Sequence, residues 1–289
     1  MPLLQVLILA VVQGLAELLP VSSSAHVVVV EKLLGLDPSS PPATLLLVML
    51  HAGTMFAVVV YFWRQWRDTY FQSTTAFKRF AALIVLATAL TGLIGETIIK
   101  AIERTFLRSI PHAEIEDLFS HLELVAPALA LVGVLILLAA LIERRKSTVG
   151  FTAAGDLSAR DAAIIGAVQG LCLPFRGFSR SGATISTGML LGVARSRAEM
   201  FSFALAVVLT PVVVVREVMR LVHAEHTGGL AAFAAGAFPS MLGAAFAFIA
   251  GLIALNWLSR WLESGRWYLF GIYCLVAAAG VGYLHHLGY

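Results

Sequence analysis

Two apolar runs in this chain stop too early. Residues 3–16 and 162–175 are hydrophobic, yet each falls short of the roughly 20 residues a helix needs to cross the hydrocarbon core of a bilayer. The first ends at Glu17 and Pro20 and the second at Pro174; apolar sequence resumes over 25–36 and from near Gly182. Non-helical backbone at membrane depth is tolerated only against protein or a wet cavity. Each interrupted segment therefore predicts a re-entrant pair of short helices. The two breaks are also related in sequence. VQGLAELLPVSSSAHVV (12–28) and VQGLCLPFRGFSRSGAT (168–184) open with the same four residues, so they read as the centres of two repeats.

Composition fixes the solvent. Hydrophobic residues make up 59% of the chain and charged ones 13%, against the roughly 25% charge of a soluble domain, and the mean hydropathy is +0.88. Six further runs, 44–63, 80–99, 124–142, 201–222, 238–258 and 267–287, are long enough to span, the first closing on Tyr61, Trp63 and Trp66 as an interfacial belt. The expected fold is an all-α polytopic membrane protein forming a single integral domain over 1–289. Its repeats are 1–142 and 161–289, each a re-entrant pair plus three transmembrane helices. Basic loops are expected around Arg64, Arg67, Lys78 and Arg79 and around Arg144, Arg145 and Lys146, and a mixed loop over 100–123. No Lys or Arg precedes Lys32, so the first run lacks the basic start of a cleaved signal peptide and should be retained. Cys172 and Cys274 form no CxxC and read as small apolar residues.

Three spans per repeat turn the second copy upside down. Inverted repeats of this sort meet at the bilayer midplane and build sites from discontinuous helices. Placing residues 64–79 and 144–160 in the cytoplasm brings the turns at Arg195/Arg197 and Arg260/Arg266 to the same side, so twelve of the twenty basic residues lie inside, five (Lys100, Arg104, Arg108, Arg216, Arg220) outside, and Lys32, Arg176 and Arg180 in the re-entrant segments, as the positive-inside rule favours. Both termini then face outwards.

Polar groups in such a setting are retained for chemistry or transport. Ser179, Arg180 and Ser181 precede the helix expected near Gly182, with Gly177 loosening the turn. Free N–H groups at a helix start, with hydroxyls and an Arg that can fork onto two oxygens, make an anion site. The first break supplies Glu17 and His26, able to hold a metal or move protons, and Ser22, Ser23 and Ser24, able to donate to an anion or act as nucleophile.

Both stretches resemble the signatures of the BacA-type undecaprenyl-diphosphate phosphatases, approximately EGxTEFLPVSSTGH and PGxSRSGAT. The likeness continues in GATISTGMLLGVARSRAEMFSF and LHAGTMFAVVVYFW, so it covers most of the chain. It implies a multi-pass bacterial inner-membrane enzyme, opening to the outer side, that needs a divalent cation, Mg²⁺ or Ca²⁺. Such an enzyme removes the terminal phosphate of a C55 polyprenyl diphosphate and regenerates the carrier lipid of cell-wall synthesis. The motifs carry over onto Glu17 (metal-holding), Ser23, His26 and Arg180 as catalytic residues. Gln13, Ser22, Ser24, Arg176, Ser179, Ser181 and Thr184 are expected to bind substrate.

Two positions depart from the family. Its first Glu is Gln13 here, which removes one carboxylate from the metal shell, and its Pro-Gly is replaced by Arg176-Gly177, which adds a cation near the phosphate. The nucleophile lies among Ser23, His26 and a water activated by Glu17; the favoured arrangement has His26, three residues on, as the base for Ser23. Expected partners are the lipid substrate and membrane lipids and no nucleic acid, with a homodimer left open. Competing readings are a proton-coupled transporter or a lipid-carrier flippase on the same inverted repeat. A lipid phosphatase with a second His paired to an Asp is disfavoured, since the next His after Arg180 is His223, with no Asp near it.

Overall fold

The structure is a computed structural model that describes residues 2–36, 41–106, 122–148, 156–224 and 229–287. Its regular elements are helices: α1 (Leu3–Leu18), α2 (Ser23–Leu33), α3 (Pro41–Tyr70), α4 (Thr74–Phe106), α5 (Leu122–Thr148), α6 (Ala159–Cys172), α7 (Arg180–Leu191), α8 (Arg195–Ala224), α9 (Gly229–Glu263) and α10 (Tyr268–His286).

Length separates two kinds of helix. Among the described residues five helices, α3, α4, α5, α9 and α10, are long and apolar enough to cross a membrane. The sixth expected span, 201–222, falls inside α8, whose 30 residues reach about 45 Å at 1.5 Å per residue. By contrast α1, α2, α6 and α7 have 16, 11, 14 and 12 residues, all shorter than a hydrocarbon core of about 30 Å. Large apolar side chains such as Val85, Leu131 and Val276 are about two-thirds exposed on the long helices, which suits a lipid solvent.

One expectation is corrected. Arg64, Arg67, Lys78 and Arg79 lie in helix rather than in a loop, and only residues 71–73 turn between α3 and α4. The apolar runs end there but the helices do not, since the i,i+4 pair Arg64–Asp68 supports another turn at the wet surface. Arg144 and Arg145 likewise close α5, and Lys100 and Arg104 lie within α4. The sequence DPSSPP (37–42) reads as a loop, but Pro41 and Pro42 open α3; residues 37–40, the acidic stretch with Glu114, Glu116 and Asp117, and residues 149–155 of the linker between the expected repeats lie outside the described residues.

Each VQGL segment packs on a span from the far half of the sequence, α1 on α9 and α6 on α4. The repeated glycine permits it. A Cβ on Gly14 would meet Ala250 Cβ at 2.6 Å and Ala247 O at 2.7 Å; on Gly170 it would meet Ile94 Cβ and Thr91 O at 2.9 Å. Small residues bring backbones this close where lipid offers no hydrophobic drive between helices. Further seams join α3 to α9 and α8, α5 to α10, and α7 to α5, α6 and α8. At the end opposite the breaks, Arg195 fastens α8 to Glu143 at 2.5 Å and to the carbonyls of Leu262 and Glu263. Trp267, fully buried, donates to Ser186 Oγ at 3.0 Å.

Candidate active site

The two breaks meet. Ser181 Oγ donates to the Leu19 carbonyl (3.4 Å), the Gly177 N–H donates to Ser24 Oγ (3.4 Å), and Cys274 Sγ donates to the Pro20 carbonyl (3.4 Å). Gly177 sits at φ 99, and a Cβ there would lie 2.4 Å from the Val125 carbonyl oxygen, so the second break needs glycine on both counts. At the first break Ser22 itself takes φ 68. For a non-glycine residue that is strain of the kind stored at functional sites.

This crossing brings two helix starts to one cavity of about 300 Å³. No side chain caps the start of α2, and α7 has only the Ser179 hydroxyl, accepting from the Gly182 N–H at 3.2 Å. Backbone N–H groups in the first turn of a helix have no acceptor of their own. The cavity is walled on its polar side by Glu17, Ser22, Ser23, Ser24, His51, Arg176, Ser179, Arg180 and Ser181, and on its apolar side by Leu173, Phe175, Phe178, Leu209 and Val214. α7 begins at Arg180, two residues before the expected Gly182.

Glu17, in the last turn of α1, is the hub. Its Oε1 accepts from Arg180 Nη2 at 2.9 Å, and its Oε2 accepts from Ser23 Oγ at 2.5 Å and from Gln13 Nε2 at 3.2 Å. His51 Nε2, on α3, stands 3.8 Å from the same Oε2. A carboxylate offers about four acceptor positions. Three are filled, two on Oε2 and one on Oε1, and His51 stands beside Oε2, whose own two are taken.

His26 is placed differently from the sequence-based expectation. Its Nδ1 lies 2.7 Å from the Ser22 carbonyl, which can only accept, so Nδ1 carries the hydrogen. Its Nε2 therefore accepts from the Tyr273 hydroxyl at 2.7 Å, on α10, and the rings lie near parallel, 13° apart. Both nitrogens are engaged, and Ser23 turns to Glu17 instead. Thr184 also lies off the cavity wall, buried with its hydroxyl 2.6 Å from Ser202 Oγ on α8. Arg176 borders the cavity and feels the charge of Glu31, near the end of α2. Gln13 lies behind Glu17. Its repeat counterpart Gln169 donates instead to Thr91 Oγ1 at 3.1 Å.

His51 and Tyr273 are the residues that sequence reasoning misses. An isolated His in the apolar run of α3 is the signal that could have found the first; nothing in the α10 run distinguishes Tyr273.

The sequence resemblance implies a divalent cation at this site. Among the described residues no three His, Cys, Asp or Glu side chains stand close enough together to hold a metal ion. Glu17 is, among the described residues, the one carboxylate on the cavity wall, with hydroxyls around it. That fits a cation completing its shell with substrate oxygens, as Mg²⁺ commonly does.

Fold and site together define a multi-pass helical membrane protein whose short helices converge on a pocket lined by serines, arginines and one carboxylate. The family described as Bacitracin resistance protein BacA matches residues 6–280, and the chain belongs to that family. Among its relatives, the Undecaprenyl-diphosphatase 2 of Acinetobacter baylyi is 58% identical over 284 residues, covering 97% of each chain. The Undecaprenyl-diphosphatase of Gluconacetobacter diazotrophicus is 35% identical over 96% of this chain and 95% of its own length. That of Mycobacterium leprae is 34% identical over 96% and 92%.

Proposed function

We infer that the chain is an undecaprenyl-diphosphate phosphatase of the bacterial membrane, which hydrolyses the C55 diphosphate to the monophosphate and inorganic phosphate and so recycles the carrier of cell-wall precursors. The observation that carries the mechanism is Ser23 Oγ, 2.5 Å from Glu17 Oε2, on a cavity wall shared with Arg180.

Phosphoryl transfer is catalysed mainly by positioning and by neutralising charge that shifts to the leaving oxygen. Two phosphoryl groups face two helix starts, those of α2 and α7, while the apolar wall of Phe175, Phe178, Leu209 and Val214 receives the first part of the prenyl chain. Arg180 exchanges part of its contact with Glu17 for phosphate oxygens. Ser23 Oγ attacks the terminal phosphorus, its proton passes to Glu17, and the lipid monophosphate leaves. Glu17 passes that proton on to the departing monophosphate. Water then attacks the serine phosphate; Glu17 takes a proton from the water and returns it to Ser23 Oγ as the P–Oγ bond breaks, and inorganic phosphate is released. His26, held by Ser22 and Tyr273, fixes the first turn of α2 rather than acting as base. A divalent cation on Glu17, Mg²⁺ or Ca²⁺, would when bound neutralise charge on the diphosphate oxygens.

The same reading includes an inverted repeat of 1–142 and 161–289, short pairs α1–α2 and α6–α7 that re-enter the membrane, and a site opening to the outer face. Support comes from the reciprocal packing of α1 on α9 and α6 on α4 and from the distribution of Lys and Arg. The test is phosphate release from undecaprenyl diphosphate by the pure protein in detergent. Release is expected, to be lost with EDTA and restored by Mg²⁺ or Ca²⁺. A transporter or flippase would release none.

A further inference from the structure

We propose that Tyr273 is a positioning residue for the reaction: by selecting the tautomer of His26 it holds the strained turn at Ser22 and so keeps the Ser23 hydroxyl on Glu17. The proposal rests on the phosphatase reading for its purpose and on the contacts between α10 and the first break for its content.

A non-glycine residue at φ 68, as Ser22 is, persists only where its surroundings over-determine it. Its torsion matters because the next residue is Ser23, whose hydroxyl meets Glu17 Oε2. No side chain caps the start of α2, so the turn is held by other means. Cys274 Sγ donates to the Pro20 carbonyl on one side of Ser22, and His26 Nδ1, 2.7 Å away, donates to the Ser22 carbonyl itself. Tyr273 immediately precedes Cys274 and engages His26. Two consecutive residues of α10 thereby reach both flanks of the strained position.

The tyrosine hydroxyl decides whether His26 can make its contact. A neutral imidazole carries one N–H, and the nitrogen that has it is set by what the other one meets. The Ser22 carbonyl can be bonded only by the Nδ1–H form. Tyr273 Oη, 2.7 Å from Nε2, donates to the bare nitrogen of that form. The two rings also lie with centroids 5.6 Å apart and 13° from parallel, which opposes a flip of the imidazole. The cavity wall runs through Ser22, Ser23 and Ser24 and leaves His26 behind it, so the effect of Tyr273 reaches the substrate only through the turn. Loss of the hydroxyl should therefore misplace the nucleophile and slow turnover, with substrate binding kept.

The test uses the full chain in detergent with isotopically labelled histidine nitrogens, the His26 resonances being assigned by their loss in His26→Asn. In wild type nuclear magnetic resonance should place the hydrogen on Nδ1 and leave Nε2 bare. Tyr273→Phe keeps the ring and removes the hydroxyl, and should turn that single tautomer into a mixture. With undecaprenyl diphosphate as substrate, Tyr273→Phe should lower kcat about three- to tenfold, the worth of one hydrogen bond, with KM within about twofold of wild type and the melting profile unchanged. A merely structural tyrosine would shift the melting profile and leave the tautomer alone. A hydrogen on Nε2 in wild type, a tautomer unmoved by Tyr273→Phe, an unchanged kcat, or a loss confined to KM would overturn the proposal. If wild type releases no phosphate at all, the phosphatase reading falls, while the nitrogen resonances still decide whether Tyr273 fixes His26.

Discussion

Ser23 and Arg180 converge on one carboxylate, and the two contacts make different demands. Ser23→Ala should lower turnover on the order of a thousandfold or more, as removal of a nucleophile does. In rapid quench with substrate labelled in the terminal phosphate, wild type should give an acid-stable phosphoenzyme and Ser23→Ala none. An acid-labile, base-stable adduct would transfer the role to His26. Arg180→Lys keeps the charge and loses the planar fork. With charge-assisted hydrogen bonds worth about 1.5–3 kcal/mol, kcat/KM should fall about tenfold to a hundredfold; a near-normal value would make Arg180 a diffuse attractor. Glu17, the serines and Arg180 are legible in the sequence because each is costly in an apolar setting. Their partners are not, because the deciding contacts join residues far apart, Glu17 with Arg180 and His26 with Tyr273. The expectation that Ser23 and His26 would meet comes from their spacing of three. It overlooks the Ser22 carbonyl, which is nearer to the imidazole and fixes its tautomer.

Helices and their breaks are the most legible level, since apolar runs and prolines report directly on where a chain can cross lipid. Helix ends are less so, because hydropathy marks where the hydrocarbon stops, whereas hydrogen bonding and pairs such as Arg64–Asp68 carry a helix past that point. The close approach of α1 to α9 leads to a stability prediction. Gly14→Val drives a Cβ into Ala250 and Ala247 and should cost about 1–3 kcal/mol, the usual penalty of overpacking. Gly92, on α4, has open space where a Cβ would sit, so Gly92→Ala should be neutral or stabilising by up to about 1 kcal/mol through helix propensity. Thermal unfolding of the two variants in the same detergent compares them directly; equal melting temperatures would remove the reason given for the glycine in VQGL.

At the scale of the molecule the question is which way up it sits. With Cys172 and Cys274, both buried, replaced, single cysteines at Ser73 and His286 occupy exposed positions. Ser73 should label only from inside and His286 only from outside. Labelling of both from one face would refute the inverted repeat. Hydropathy indicates that the chain crosses the membrane and charge indicates its orientation, but neither says which helices touch. The pairing of α1 with α9 is settled by small residues, whose signal is lost among the chain's 24 glycines.

That pairing also has a consequence for how the protein is made. Roughly 200 residues separate α1 from α9, so at synthesis rates of about 5–20 residues per second the first helix leaves the ribosome roughly 10–40 seconds before the surface it rests on exists. Through that interval its glycine face has only lipid against it, and Glu17 has no arginine until α7 emerges. The nascent chain must hold an ionisable group in the bilayer with its own hydroxyls and water for company, and the interval closes only when the last third of the message has been read.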